Sequence, residues 1–254
     1  MRRFVTLLFT VSILVAGYGT ARAVTARPRV LARELPLERG ELRPLPTTVW
    51  FPAELAGRHP VVLFSHGLGG LPEHFAPLAE QWAAAGYIVA APAYPYTNQR
   101  VRVDPGDVRN QPADAAYVLD RVLALDGVAG DVFAGHVDTG RAAAVGFSAG
   151  GTTTLGMFHA GHDRKLRAAV SIAGRRPLPA FGGPATPVLF LHGDRDRVVP
   201  IGAGRQAYAA VPWEKRFVTM NGHGHGEYLK PGDPGYPHAS SLILDFLETH
   251  LPTT

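Results

Sequence analysis

The run Val145-Gly146-Phe147-Ser148-Ala149-Gly150-Gly151 follows a short apolar segment, 142–145, and precedes Thr152-Thr153-Thr154-Leu155-Gly156-Met157-Phe158. A strand, a tight turn and a helix therefore meet at Ser148. Glycines at 146 and 150 answer a steric demand, because side chains there would crowd a sharp turn that holds the serine in a strained backbone conformation. Gly-x-Ser-x-Gly between a strand and a helix is the pattern of a nucleophile elbow. The helix that begins after Ser148 aims its free N–H groups and positive dipole end at the hydroxyl. Five residues alone fit equally well a Gly-rich loop with an incidental serine. The partners of Ser148 have to decide.

On either side of this turn the chain alternates short buried strands with helices. Residues 60–65, 87–91, 168–173 and 188–191 are continuous apolar runs, the mark of strands covered on both faces. Residues 215–220 form the last strand. Residues 72–85 and 111–125 carry apolar side chains at spacings of three and four, with Phe75, Leu78, Ala79 and Trp82 on one helix and Ala115, Val118, Leu119 and Val122 on the other. Helices are also expected over 203–210 and 239–251, the last with Leu242, Leu244, Phe246 and Leu247 as buried residues. Residues 30–35 and 47–52 read as two edge-like strands, with Pro44 and Pro46 interrupting between them. Residues 92–110 lack a period and read as a long surface excursion. The pattern predicts an α/β fold with a mostly parallel central sheet and helices on both faces.

Composition narrows the class. The chain has 254 residues, 46 % of them hydrophobic and 18 % charged, enough for one substantial core. It has no cysteine, which excludes disulfides, thiolate chemistry and Cys-based zinc sites. Arg2 and Arg3, an apolar stretch over 4–18 and Ala21-Arg22-Ala23 read as a signal peptide over 1–23, with export of a single domain over 24–254. The apolar stretch is short for a membrane anchor, so no stable membrane insertion is expected after cleavage. The Arg pair leaves general and twin-arginine export both open. The formal charge of +4 falls with the signal: residues 1–23 hold three arginines and no acid, leaving 22 basic against 21 acidic residues. No Lys/Arg run remains, so no nucleic-acid partner is expected.

In an open parallel sheet, chemistry collects beyond the C-terminal strand ends. Four such ends carry unusual residues: His66-Gly67-Leu68, Ser148, Asp196, and the loop with His223 and His225. Serine, aspartate and histidine in that chain order, at those strand ends, resemble the α/β-hydrolase fold family over about residues 35–251. Phe64-Ser65-His66-Gly67-Leu68-Gly69 and Gly146-Phe147-Ser148-Ala149-Gly150-Gly151 resemble more narrowly the platelet-activating-factor acetylhydrolase and dienelactone-hydrolase-like group, which includes secreted bacterial polyester hydrolases.

The resemblance implies roles. Ser148 would be the nucleophile, activated by a base that accepts its proton. His225 fits the family's Gly-x-Gly-His pattern through Gly222 and Gly224, with His223 in the variable position. His-x-His metal binding and a base at His238 are the competing readings; His238 opens a helix, which favours a capping or surface role. His192-Gly193-x-x-Asp196-x-x-Val199-Pro200 resembles the acid-bearing loop, making Asp196 the acid that orients the imidazole. Asp194 competes and reads as a turn residue. The backbone N–H groups of Leu68 and Ala149 would form the oxyanion hole, and His66 would support its loop. The implied chemistry is acyl transfer from an ester to water through a Ser-His-Asp triad, with no cofactor and no metal. A lipase, phospholipid-acetyl hydrolase or polyester hydrolase, or a non-catalytic binding protein of the same fold, are the alternatives. Only residues 174–187 stand where larger relatives insert a lid, so no large cap domain is expected. The cleft would be open to small-molecule or polymeric esters, walled by 92–110, with Tyr94 and Tyr96 as candidate pocket aromatics. The sequence leaves the oligomeric state open.

Overall fold

The computed structural model describes residues 28–159, 166–178 and 180–253. The expected signal peptide, 1–23, lies outside the described residues. Eight strands form one sheet: β1 Val30–Glu38, β2 Pro44–Pro52, β3 His59–Ser65, β4 Ile88–Pro92, β5 Val137–Phe147, β6 Leu166–Ile172, β7 Val188–Gly193 and β8 Lys215–Met220. Their spatial order is β1-β2-β4-β3-β5-β6-β7-β8. β2 runs antiparallel to both β1 and β4, and every other pairing is parallel. This is the α/β architecture expected from the alternating pattern.

The central strands are apolar on both sides because helices cover both faces. α2 Gln111–Ala124, α3 Ala149–Gly156 and α4 Ile201–Ala210 pack on one face, and α1 Ala76–Ala84 and α5 Tyr236–His250 on the other. β5 shows the division residue by residue. Ala142 and Ala144 belong to the first core, Ala143 and Val145 to the second, as the two-residue period of a strand requires. Trp82 and Leu78 of α1 are fully buried in the second core, as are Val118 and Val122 of α2 in the first.

Three local expectations need correction. Pro44 and Pro46 do not interrupt a strand; they begin β2, paired with Glu38 and Pro36. The Pro46 carbonyl accepts from the Ala93 N–H just past β4, so its nitrogen also faces the side where β4 has ended and no donor is required. α5 starts at Tyr236 and buries Ala239, Ile243 and Leu247, four residues apart; Leu242, Leu244 and Phe246 are only partly covered. β5 begins at Val137, opposite His59, earlier than the apolar run at 142.

The excursion over 92–110 is tied down more firmly than a surface loop. Tyr94, Thr97 and Asn98 are buried, and a 3-10 helix, Pro105–Asn110, leads into α2. Arg43, from the turn after β1, bonds Asp107 through both of its terminal nitrogens at 2.9 and 2.7 Å and also pairs with Asp114 of α2. Arg39 adds a 2.7 Å bond to Asp114, whose side chain is wholly buried. Two carboxylates at low exposure demand such partners. Residues 173–187, between β6 and β7, contain no helix among the described residues.

Candidate active site

Strain at Ser148 follows from the elbow. The chain must leave β5 and enter α3 at once, and Ser148 takes φ 57°, ψ −117° to do it. A Cβ at Gly146 would overlap the Gly150 carbonyl, and one at Gly150 would overlap the Ser65 carbonyl. Both clashes are with backbone, so only glycine permits β5, α3 and the end of β3 to approach this closely.

The turn is anchored by Ser148 N–H donating to the Ile172 carbonyl of β6 at 2.7 Å. Its hydroxyl lies 2.9 Å from Nε2 of His225, and Nδ1 of His225 lies 2.7 Å from Oδ2 of Asp196. An ionised carboxylate only accepts, so Nδ1 carries the proton and Nε2 is free to accept from the serine hydroxyl. Asp196 sits on the loop after β7 with its side chain fully buried. Its Oδ1 accepts the amides of Val198 and Val199 at 2.9 and 2.8 Å. His225 sits on the loop after β8, with the Phe147 ring 4.9 Å from its own. Gly226, at φ +84°, passes so close to Phe147 that a side chain there would overlap the ring.

Competing residues occupy other places. Asp194 accepts the Gly222 N–H at 2.8 Å and so ties the acid loop to the histidine loop. His223 turns away from His225, with Nδ1 3.4 Å from Asp233 and its ring edge-on to Tyr228. His238 is exposed near the start of α5. His192, buried and flat against Phe217, bonds the Val199 carbonyl through Nε2 at 2.8 Å and stands 3.4 Å from Asp196. Burial lowers the pKa of His192, so the neutral ring is favoured.

On the other side of Ser148 lies the loop after β3. A Cβ at Gly67 would stand 3.2 Å from that of Ser148, so this loop touches the elbow directly. His66 is buried beneath it. Its Nδ1 bonds the Gly67 carbonyl at 2.7 Å, and its Nε2 accepts from the Tyr94 N–H at 3.1 Å. Burial pushes its pKa down to about 4, which keeps the ring neutral and this donor–acceptor pattern intact. Gly69 N–H donates to the Thr97 carbonyl at 2.7 Å. Among the described residues, no backbone acceptor outside the helices and strands takes the amides of Leu68 and Ala149.

A family model described as PET hydrolase-like matches residues 46–231, which contain Ser148, Asp196 and His225. The chain belongs to the PET hydrolase-like family. It is an α/β hydrolase acting on ester bonds. Proteins named for carboxymethylenebutenolidase activity are similar to it. One from Salmonella typhimurium is 28% identical over 205 residues, 73% of each chain. One from Yersinia pestis is 27% identical over 229 residues, 81% of this chain and 84% of its own. One from Escherichia coli K12 is 27% identical over 210 residues, 75% and 74%.

In this PET hydrolase-like chain the two expected pocket tyrosines do not line an opening together. Tyr94 is fully buried, its hydroxyl 2.7 Å from Ser65 Oγ and its carbonyl taken by Asn98. It supports the loop after β3 from below and offers no surface to a substrate. Tyr96 is half-exposed, but its hydroxyl donates to the Leu42 carbonyl and its ring lies under Arg43. The exposed apolar side chains on the loops that follow β3, β6 and β7 are instead Leu68, Leu178 and Val198, at 44%, 89% and 61% accessible. The motif gives Leu68 a role only through its amide. Val198, between Arg197 and Val199 in a loop, gives no periodic signal.

Proposed function

We propose that the protein is an exported serine carboxylester hydrolase in which Ser148, His225 and Asp196 form the catalytic triad. The observation that carries this reading is the chain of contacts Asp196–His225–Ser148, at 2.7 and 2.9 Å, on a strained elbow. His225 takes the Ser148 proton as the oxygen attacks the ester carbonyl. Asp196, held by two amides, keeps the imidazole in the needed tautomer and balances its charge once protonated. The amides of Leu68 and Ala149 receive the oxyanion of the tetrahedral intermediate. His225 then protonates the leaving alcohol. Water, deprotonated by the same ring, attacks the Ser148 acyl ester and releases the acid.

The site lies beside exposed Leu68 and Val198 with no helix between β6 and β7 among the described residues, an arrangement that suits bulky or polymeric esters as well as small ones. Residues 1–23 would direct export and be removed. A fluorophosphonate probe tests the chemistry: the wild-type protein should be labelled, and Ser148→Ala should not be. Absence of labelling together with absence of hydrolysis across 4-nitrophenyl esters and a polyester film would leave a non-catalytic binding role. The mass of the protein recovered outside the cell tests the cleavage site after Ala23.

A further inference from the structure

We infer that Arg175 is a specificity-determining residue of this site and selects esters that bear a carboxylate. The inference rests on Ser148 being the nucleophile, and it concerns what the nucleophile is offered. The chain leaves β6 directly beside the elbow, where the Ile172 carbonyl holds the Ser148 amide. Ala173 then adopts φ 50°, in the left-handed region that a Cβ disfavours, and donates its N–H to the Leu191 carbonyl of β7 at 2.8 Å. This strained step folds residues 174–175 onto the first turn of α3. A Cβ at Gly174 would stand 2.8 Å from the Gly151 backbone, and the Arg175 N–H donates to Thr152 Oγ1 at 3.0 Å.

From there the Arg175 side chain crosses to the acid loop. Its Nη2 donates to the Val198 carbonyl at 3.2 Å, and the Val198 N–H is held by Asp196. The guanidinium is thus fixed between the nucleophile turn and the acid loop by one of its five donors. It is exposed and meets no carboxylate among the described residues. Arg176, Arg195 and Arg197, on the same two loops, are also exposed and form no ion pair among those residues. The loops' own carboxylates are committed elsewhere, Asp196 to His225 and Asp194 to the Gly222 amide. A planar guanidinium with free donors matches a carboxylate bidentately. An ester with a carboxylate at its far end would be oriented by Arg175 and attracted by its neighbours.

The test is a ratio of kcat/KM values. The 4-nitrophenyl monoester of adipic acid is compared with 4-nitrophenyl hexanoate, which places the carboxylate on the acyl side. 4-Acetoxybenzoate is compared with 4-acetoxybenzamide, which places it on the leaving side. An exposed ion pair contributes at most about 1 kcal/mol, so Arg175→Gln should lower the anionic-to-neutral ratio roughly fivefold in at least one pair. Arg175→Lys should keep part of the preference, and salt should erode it in the wild type. Arg205→Gln, exposed on α4, controls for net charge and should keep the wild-type ratio. Equal ratios for Arg175→Gln and wild type in both pairs would overturn the inference while leaving the triad standing. Failure to hydrolyse any of the four esters would instead overturn the reading of the site itself.

Discussion

Asp196 grips His225 with one oxygen, Oδ2, at 2.7 Å, and spends the other on two amides of its own loop. The carboxylate therefore cannot rotate without giving up bonds on both sides. It fixes the ring of a residue on a different loop at the distance Ser148 requires.

Ser148→Ala and His225→Ala should each lower kcat by about 10⁴-fold or more, with the double variant no worse than either alone, because the groups act as a unit. Asp196→Asn should cost about 10⁴-fold by favouring the wrong tautomer. His223→Ala should keep activity, since that ring faces Asp233 and Tyr228. Steady-state kinetics on a 4-nitrophenyl ester, with circular dichroism to show that each variant is folded, check this. A dead His223→Ala beside an active His225→Ala would reverse the assignment of the base.

Gly150 and Gly69 separate crowding from backbone conformation. Alanine at 150 meets the Ser65 and His66 carbonyls, which cannot swing aside, and should cost roughly 3 kcal/mol or more. Alanine at 69 meets open space at φ +70°, and should cost only about 1–2 kcal/mol. Urea midpoints of the two variants give the comparison.

Arg43 and Arg58 make a second contrast. Arg43→Ala removes the ion-pair partner of buried Asp107 and leaves buried Asp114 with Arg39 alone, and should cost about 3–5 kcal/mol. Arg58, whose side chain is 52% exposed, should cost no more than about 1 kcal/mol on loss of its bond to Asp126. Because Arg43 also braces residues 96–107, its variant should show raised KM at temperatures where the protein is still folded.

His66 sets an acid limit. Its pKa of about 4 in the folded protein lies below the value of about 6.5 in an unfolded chain. Between those values the unfolded chain binds a proton that the folded protein refuses, so stability falls as pH drops through this window, by about 2–4 kcal/mol. Asp107 works lower down. Burial raises its pKa, the bonds from Arg43 and Asn110 outweigh that, and the net shift is downward. Its contribution is complete above the unfolded carboxylate value and disappears as pH falls below it. Urea titrations at pH 7, 5.5 and 4.5 should show a declining midpoint; a flat profile would place a compensating group beside His66.

Periodicity and turn chemistry made the sheet legible. Residues 60–65 and 188–191 are apolar throughout because helices cover both faces, and glycine at 146 and 150 marks a sharp turn that backbone contact enforces. Legibility failed where a tertiary partner decides the outcome. Tyr94 looked like a loop aromatic, yet Ser65 and His66 draw it under the loop after β3. Leu242, Ile243 and Leu244 are equally apolar, and only the docking of α5 on the sheet decides that Ile243 is the one buried. Arg43, Asp107 and Asp114 are far apart in sequence, and no local pattern joins them. In the candidate site, motif residues are readable from their strand ends, whereas Arg175 and Val198 lie at no motif position and take their places from a contact between two loops.

The hairpin register that makes the prolines of β2 harmless has an outward effect as well. Pro36 faces Pro46, whose polar groups point away from β1, so the backbone groups of Pro36 point away from β2 and into solvent. At that place the rim of the sheet presents no donor, and exposed Glu34 and Glu38 stand two residues to either side. A foreign strand attempting to extend the ladder would lose a hydrogen bond midway and meet charge on both flanks. The fold thereby resists edge-to-edge aggregation at its first strand.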